Sequence, residues 1–150
     1  MKKLIHDDVT CIAVHAAFTK KDQDFNVEDV RRWHTSPDPR DPSKPWDDIG
    51  YHYVINRHGE TQLGRSLEFA GAHAAPMNEI SVGVLLMGGK SADLKPEFNF
   101  NLMQLNALAI LRHRLINVIF RKDLLMVGHR DLNPRRSCPY FDVPAMFEDF

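Results

Sequence analysis

Short unbroken apolar runs alternate along this chain with longer stretches of three-to-four-residue period, and each pattern predicts an element. VTCIAVHAA, residues 9–17, is apolar and β-branched without polar alternation, as in a strand buried on both faces, with His15 near its C-terminal end. In NVEDVRRWH, Val27, Val30, Trp33 and His34 recur at helical spacing behind Asn26 as an N-cap, with acids first and arginines last, as the helix dipole favours. YHYVINRHGETQLGR predicts a hairpin that turns at His58 and Gly59 and returns through Leu63. ISVGVLLMGG predicts another buried strand. From Asn101 to about Phe120, the positions Leu102, Leu105, Leu108, Ala109, Leu115, Ile116 and Ile119 mark one broad face of what should be the longest helix. LLMVGH predicts a last short strand ending at His129, and VPAMFEDF a short C-terminal helix with Pro144 in its first turn. TSPDPRDPSKPWDD carries four of the nine prolines and predicts an ordered loop. GHRDLNPRRSCPYFDV, residues 128–143, is too irregular to predict a helix or a strand.

Intermixed strands and helices predict an α/β fold: a single domain with a mixed central β-sheet of about five strands and helices on both faces. The chain of 150 residues suits one full core and not two. Nineteen basic against twenty acidic side chains give a net charge of −1, which removes the electrostatic footprint of a nucleic-acid binder. No apolar run approaches the roughly 20 residues of a membrane span, so no membrane insertion is expected. MKKLIHDDVT breaks into His6, Asp7 and Asp8 where a signal peptide needs an apolar segment, which predicts synthesis and folding in the cytoplasm.

Chemistry enters with the histidines. His15 ends the first strand and His129 the last, and strand ends are where side chains converge on a common rim. Catalytic zinc takes three protein ligands, commonly His with Cys or a carboxylate, and leaves the fourth position to water. His15, His129 and Cys138 are one such set. Of the other histidines, His6, His58 and His113 are expected in solvent, and His34 and His52 in local packing. Cys11 lies four residues before His15, about 13 Å along a strand, and is expected as a core thiol. Spacing alone is a moderate signal, with no CxxC and no HExxH.

The stretches IAVHAAFT, DIGYHYVINRHGETQLGR, AGAHAAPMNEISVGVLLMGG and VGHRDLNPRRSCPYFDV raise that signal. In this order they resemble the zinc-dependent N-acetylmuramoyl-L-alanine amidases, in particular the small bacteriophage lysozyme-like amidases, whose superfamily includes the peptidoglycan recognition proteins. The resemblance runs from about Ile12 to Asp142. It implies that residues 1–150 form one zinc amidase domain binding one Zn2+ per chain through His15, His129 and Cys138. It further implies that Tyr51, of GYH, lies beside the metal and its water, that His73 lines the substrate cleft, and that Asn78 joins it there. Two before the cysteine the phage enzymes usually carry lysine, placed for the developing oxyanion; here stands Arg136, whose planar guanidinium differs from an ammonium in reach and hydrogen-bond geometry. The proline-rich insert before Trp46 is also longer than in the compact phage enzymes.

The resemblance thus implies hydrolysis of the amide between N-acetylmuramic acid and L-alanine, with peptidoglycan as partner and the chain a monomer. Zinc would supply both an activated nucleophile and a Lewis acid for the carbonyl. The enzyme would be a phage or prophage endolysin, acting on the cell wall after release through a separately made membrane lesion. The competing readings are a non-enzymatic peptidoglycan-binding module, which in this superfamily lacks the cysteine ligand, and a protein-binding regulator, for which no residue speaks. A structural zinc site would want a fourth protein ligand.

Overall fold

The computed structural model describes residues 1–149, and the last residue of the expected C-terminal helix, Phe150, lies outside them. Among the described residues a five-stranded sheet forms from β1 (Cys11–Ala16), β3 (Tyr53–Ile55), β4 (Thr61–Leu63), β5 (Ser81–Leu86) and β7 (Leu125–Gly128), in the order β4-β3-β5-β1-β7. Only the β3–β4 hairpin is antiparallel; β1 runs parallel to both β5 and β7. The central strands β1 and β5 are covered on both faces, which is why they read as continuous apolar runs instead of alternating ones. A two-stranded ribbon of β2 (Thr19–Lys20) and β6 (Gly89–Lys90) extends the sheet end.

Helices pack on both faces. Side-chain parity along β5 sends Val82, Val84 and Leu86 to the core under α2 (Leu102–Arg114), with Leu108 and Leu111, while Leu85 points to the other face with Val27 and Val30 of α1 (Val27–Thr35). The first helix begins at the predicted cap, and the second has a cap of the same kind. Asn26 and Asn101 each close a capping box, with Asp29 and Gln104 reaching back to the cap N–H.

The periodicity misplaced three details. The long helix does not run evenly to Phe120: it passes at Leu115–Ile119 into a π turn, where the Phe120 N–H donates to the Leu115 carbonyl at 2.9 Å. Such a turn adds a residue to the circuit and rotates the apolar face beyond it, whereas Leu102, nine residues of regular helix before the buried Leu111, lies on the opposite face and is 73% exposed. Trp33 is not a core residue of α1; it stands half out of the protein against Phe25. Residues 128–143 are not wholly irregular, since α3 (His129–Leu132) starts where β7 stops; the expected C-terminal helix is α4 (Val143–Met146), with Asp142 as its N-cap and Pro144 in its first turn.

Candidate metal centre

Strand register brings the first two groups together. Val14 of β1 pairs with Gly128 of β7 in a parallel ladder, so the residues that follow, His15 and His129, leave the sheet side by side. Their ring centroids are 4.5 Å apart. His15 still belongs to its strand and is 2% exposed; His129 opens α3. The loop after α3 doubles back over this rim, held by the Arg130 N–H donating to the Cys138 carbonyl at 2.8 Å. That places Cys138 Sγ 3.9 Å from His129 Nδ1, where it also accepts from the Ala16 N–H at 3.3 Å. Among the described residues, one ligand atom from each of His15, His129 and Cys138 falls within 4.8 Å of the other two. Two imidazoles and a thiol at this separation suit a tetrahedral cation, with metal–nitrogen and metal–sulfur bonds of about 2.0 and 2.3 Å and one position left over. Cys11, at the far end of β1, is buried and takes no part.

The cluster lies in a cleft of about 490 Å3, a size usual for small-ligand sites. Tyr51, His73, Asn78 and Arg136 all line it, and Arg135 does not. Tyr51 lies edge-on to His15 with ring centroids 5.1 Å apart. Burial pushes its phenol well above the usual range, the Cys138 sulfur adds to this, and the Arg136 charge opposes it, so Tyr51 is neutral at working pH. The Arg136 guanidinium is felt by three site groups at once: it lowers the pKa of Tyr51, of His129 and of Cys138. For His129 and Cys138 burial is the larger cause, pushing the imidazole down and the thiol up. His15 is held far below an ordinary histidine by burial and then by the neighbouring His73 and His129. Its neutral ring is the form that ligates a cation.

His73 stands closer to this centre than its expected place on the cleft wall suggests. Its Nδ1 is 2.9 Å from His15 Nε2, and burial pushes its pKa down to about 3. Asn78 Oδ1 accepts the N–H groups of both His73 and Ala74, at 2.9 and 2.8 Å, so it fixes that loop while facing the cleft. The buried Arg65 ties the two loops behind the site together, donating to the carbonyls of Asp48 and Ile49 before Tyr51 and to that of Ala70 before His73.

Three aromatic lining residues escaped the sequence reading. His34 does pack locally, with Nδ1 accepting from the Gly50 N–H at 2.9 Å, yet it also forms cleft wall with Trp46, ring centroids 4.6 Å apart. Tyr140, just past Cys138, is the third. A usable signal was present: Trp46 closes the proline-rich loop immediately before the segment that holds Tyr51. His52, by contrast, is the buried local residue expected, its Nε2 bonded to the Phe69 carbonyl and its Nδ1 to the Gly83 N–H.

A mixed sheet whose parallel strand ends present two histidines to an open cleft, met there by a cysteine from the following loop, defines the class: single-domain α/β proteins with a three-donor cluster able to hold a metal ion. Within it, the chain belongs to the N-acetylmuramoyl-L-alanine amidase family, whose profile matches residues 6–141. The endolysin of Enterobacteria phage K11 is 37% identical over 130 residues, 87% of this chain and 80% of the relative. The endolysin of Escherichia phage T7 is 31% identical over 143 residues, 95% of this chain and 87% of the relative. Among solved structures, the bumblebee peptidoglycan recognition protein PGRP-SA shares the fold with a TM-score of 0.79 at 23% identity, covering 100% of this chain and 86% of its own. The N-acetylmuramoyl-L-alanine amidase LysC of Clostridium intestinale URNW superposes with a TM-score of 0.70 at 20% identity, over 98% and 89% of the two chains.

Proposed function

We propose that this protein is an endolysin-type amidase that hydrolyses the bond between N-acetylmuramic acid and L-alanine in bacterial peptidoglycan, using one zinc ion held by His15, His129 and Cys138. The observation that carries this reading is the convergence of those three donors within 4.8 Å at the floor of the cleft. Family membership and the endolysin relatives supply the substrate class. Zinc, when bound, supplies Lewis acidity toward the carbonyl and a water acidified to about neutral pH.

The chain's own groups do the rest. Tyr51 keeps its proton and offers Oη as a hydrogen-bonding partner that orients the attacking water. Arg136, the one lysine or arginine among the described residues lining the cleft, offers its guanidinium to the negative charge that develops on the carbonyl oxygen. His34, Trp46 and Tyr140 give the substrate apolar faces to lie against. Asn78, with its oxygen occupied by two backbone N–H groups, turns its amide nitrogen to the substrate, and His73 walls the cleft beside it. The whole chain works as one monomeric domain that reaches the wall after release from the cytoplasm through a separate membrane lesion. Among the described residues no helix is long and apolar enough to cross a membrane.

Metal analysis of purified variants tests the ligand set. Wild type should carry about one zinc per chain, as a three-ligand site does; Cys138→Ser should lose most of it and Cys11→Ser none. Tyr51→Phe should keep its zinc while hydrolysing purified peptidoglycan about 10²–10⁴-fold more slowly. Full zinc in Cys138→Ser would remove the assignment.

A further inference from the structure

We infer that His73 is a positioning residue: through a buried hydrogen-bond chain that runs from the Met77 carbonyl through Ser81 to His15, it fixes which nitrogen of His15 is bare. This rests on the reading of His15 as a metal ligand and goes beyond it, because it explains how an unmetallated ring is held in the binding form.

The bond directions follow one from the next. The Met77 carbonyl can only accept, so the Ser81 hydroxyl, 2.7 Å away, gives it its single hydrogen. Ser81 Oγ then has only lone pairs to offer His73 Nε2 at 3.4 Å, so that nitrogen carries the hydrogen of the His73 ring. A neutral imidazole has one N–H, which leaves His73 Nδ1 bare. At 2.9 Å it accepts from His15 Nε2, which must therefore be protonated. His15 Nδ1 is left with its lone pair free for a cation. A ligating histidine that spends its other N–H on an acceptor is held in tautomer and orientation and gains basicity.

The His73 ring is closely seated where it makes these bonds. It lies over two glycines: a Cβ at Gly83 would come within 2.6 Å of its Cγ and Cδ2, and one at Gly71 within 2.6 Å of Cδ2. Asn78 clamps its backbone N–H. The slot has no room for a side chain at either glycine beneath the imidazole, a closeness that ordinary cleft lining does not need.

The test uses the full-length protein stripped of metal and then titrated with zinc against a competing chelator. Nitrogen-15 NMR of the metal-free wild type should show His15 as a single Nε2–H tautomer, and His73→Leu should lose that preference. Zinc affinity should fall about 10–100-fold in His73→Leu, the scale for a lost partner behind a ligand. His73→Asn, whose side-chain oxygen takes the place of Nδ1 as acceptor, should stay within a few-fold of wild type. A His15 Nδ1–H tautomer in the metal-free wild type overturns the inference even if His73→Leu fails to fold. So does a folded His73→Leu with wild-type affinity, provided His15→Ala loses zinc; if His15→Ala binds as tightly as wild type, it is the metal assignment that falls.

Discussion

Arg136 and Arg135 are identical side chains one position apart, yet only Arg136 lines the cleft and acts on Tyr51, His129 and Cys138. If it serves the oxyanion, Arg136→Ala should cut turnover about 10²–10³-fold, the loss that follows removal of such a donor, with zinc content unchanged. Arg136→Lys should recover much of it, since the charge returns, and Arg135→Ala should be nearly neutral. Digestion rates on purified peptidoglycan decide this, and equal indifference to both arginines would leave the oxyanion to other groups. At this scale the sequence was most legible where residue type is restrictive. A histidine at each of two strand ends and a cysteine after a proline-broken loop have few reasons to coincide. It was least legible for His34 and Trp46, because a half-buried aromatic has the same sequence pattern whether it faces a cleft or a core. His73 shows the same limit: its place was foreseen, but its bond to His15 depends on a crossing of loops that no local pattern records.

Elements carried the site by register more than by their own stability. Strand β1 was foreseen as a buried run, and its parallel pairing with β7 is what turns two strand-end histidines into neighbours. The α2 cap has its own consequence. Asn101 accepts from the Gln104 N–H at 2.9 Å and donates to the Arg57 carbonyl at 2.8 Å, while the fully buried Gln104 donates to the Met87 carbonyl and accepts from Arg57. Asn101→Ala should cost about 1–2 kcal/mol in urea unfolding, as lost caps do, and leave zinc binding intact. Gln104→Ala should cost more, because it strands buried partners. Unchanged midpoints in both would mean that the cap network is ornamental. The π turn after α2 went unforeseen for a physical reason: its extra residue shifts the apolar face, which a fixed 3.6-residue period cannot follow.

For the molecule as a whole, the site face is built on neutral histidines. His34 and His52 each accept a backbone N–H, from Gly50 and Gly83, and burial as the first cause pushes both down to about 4. Their folded pKa lies below the unfolded value of about 6.5, so the stability they confer is whole above pH 6.5 and is lost as pH falls toward 4. Each should contribute a slope of at most about 1.4 kcal/mol per pH unit in that window. Melting temperatures of the metal-free protein between pH 7.5 and 4 should fall accordingly, and a flat profile would contradict the neutral assignment. The overall architecture was legible because buried strands and amphipathic helices have different periods, and the length allowed one core. The cleft wall formed by the proline-rich loop was not, since a loop's course is set by what it packs against. Mass spectrometry of purified peptidoglycan after digestion reads directly which bond is cut. The products should be N-acetylmuramic acid with a free lactyl carboxylate and stem peptides with a free L-alanine amino group. New reducing sugar ends, cuts within the stem peptide, or peptidoglycan bound but uncut would contradict the proposed cut.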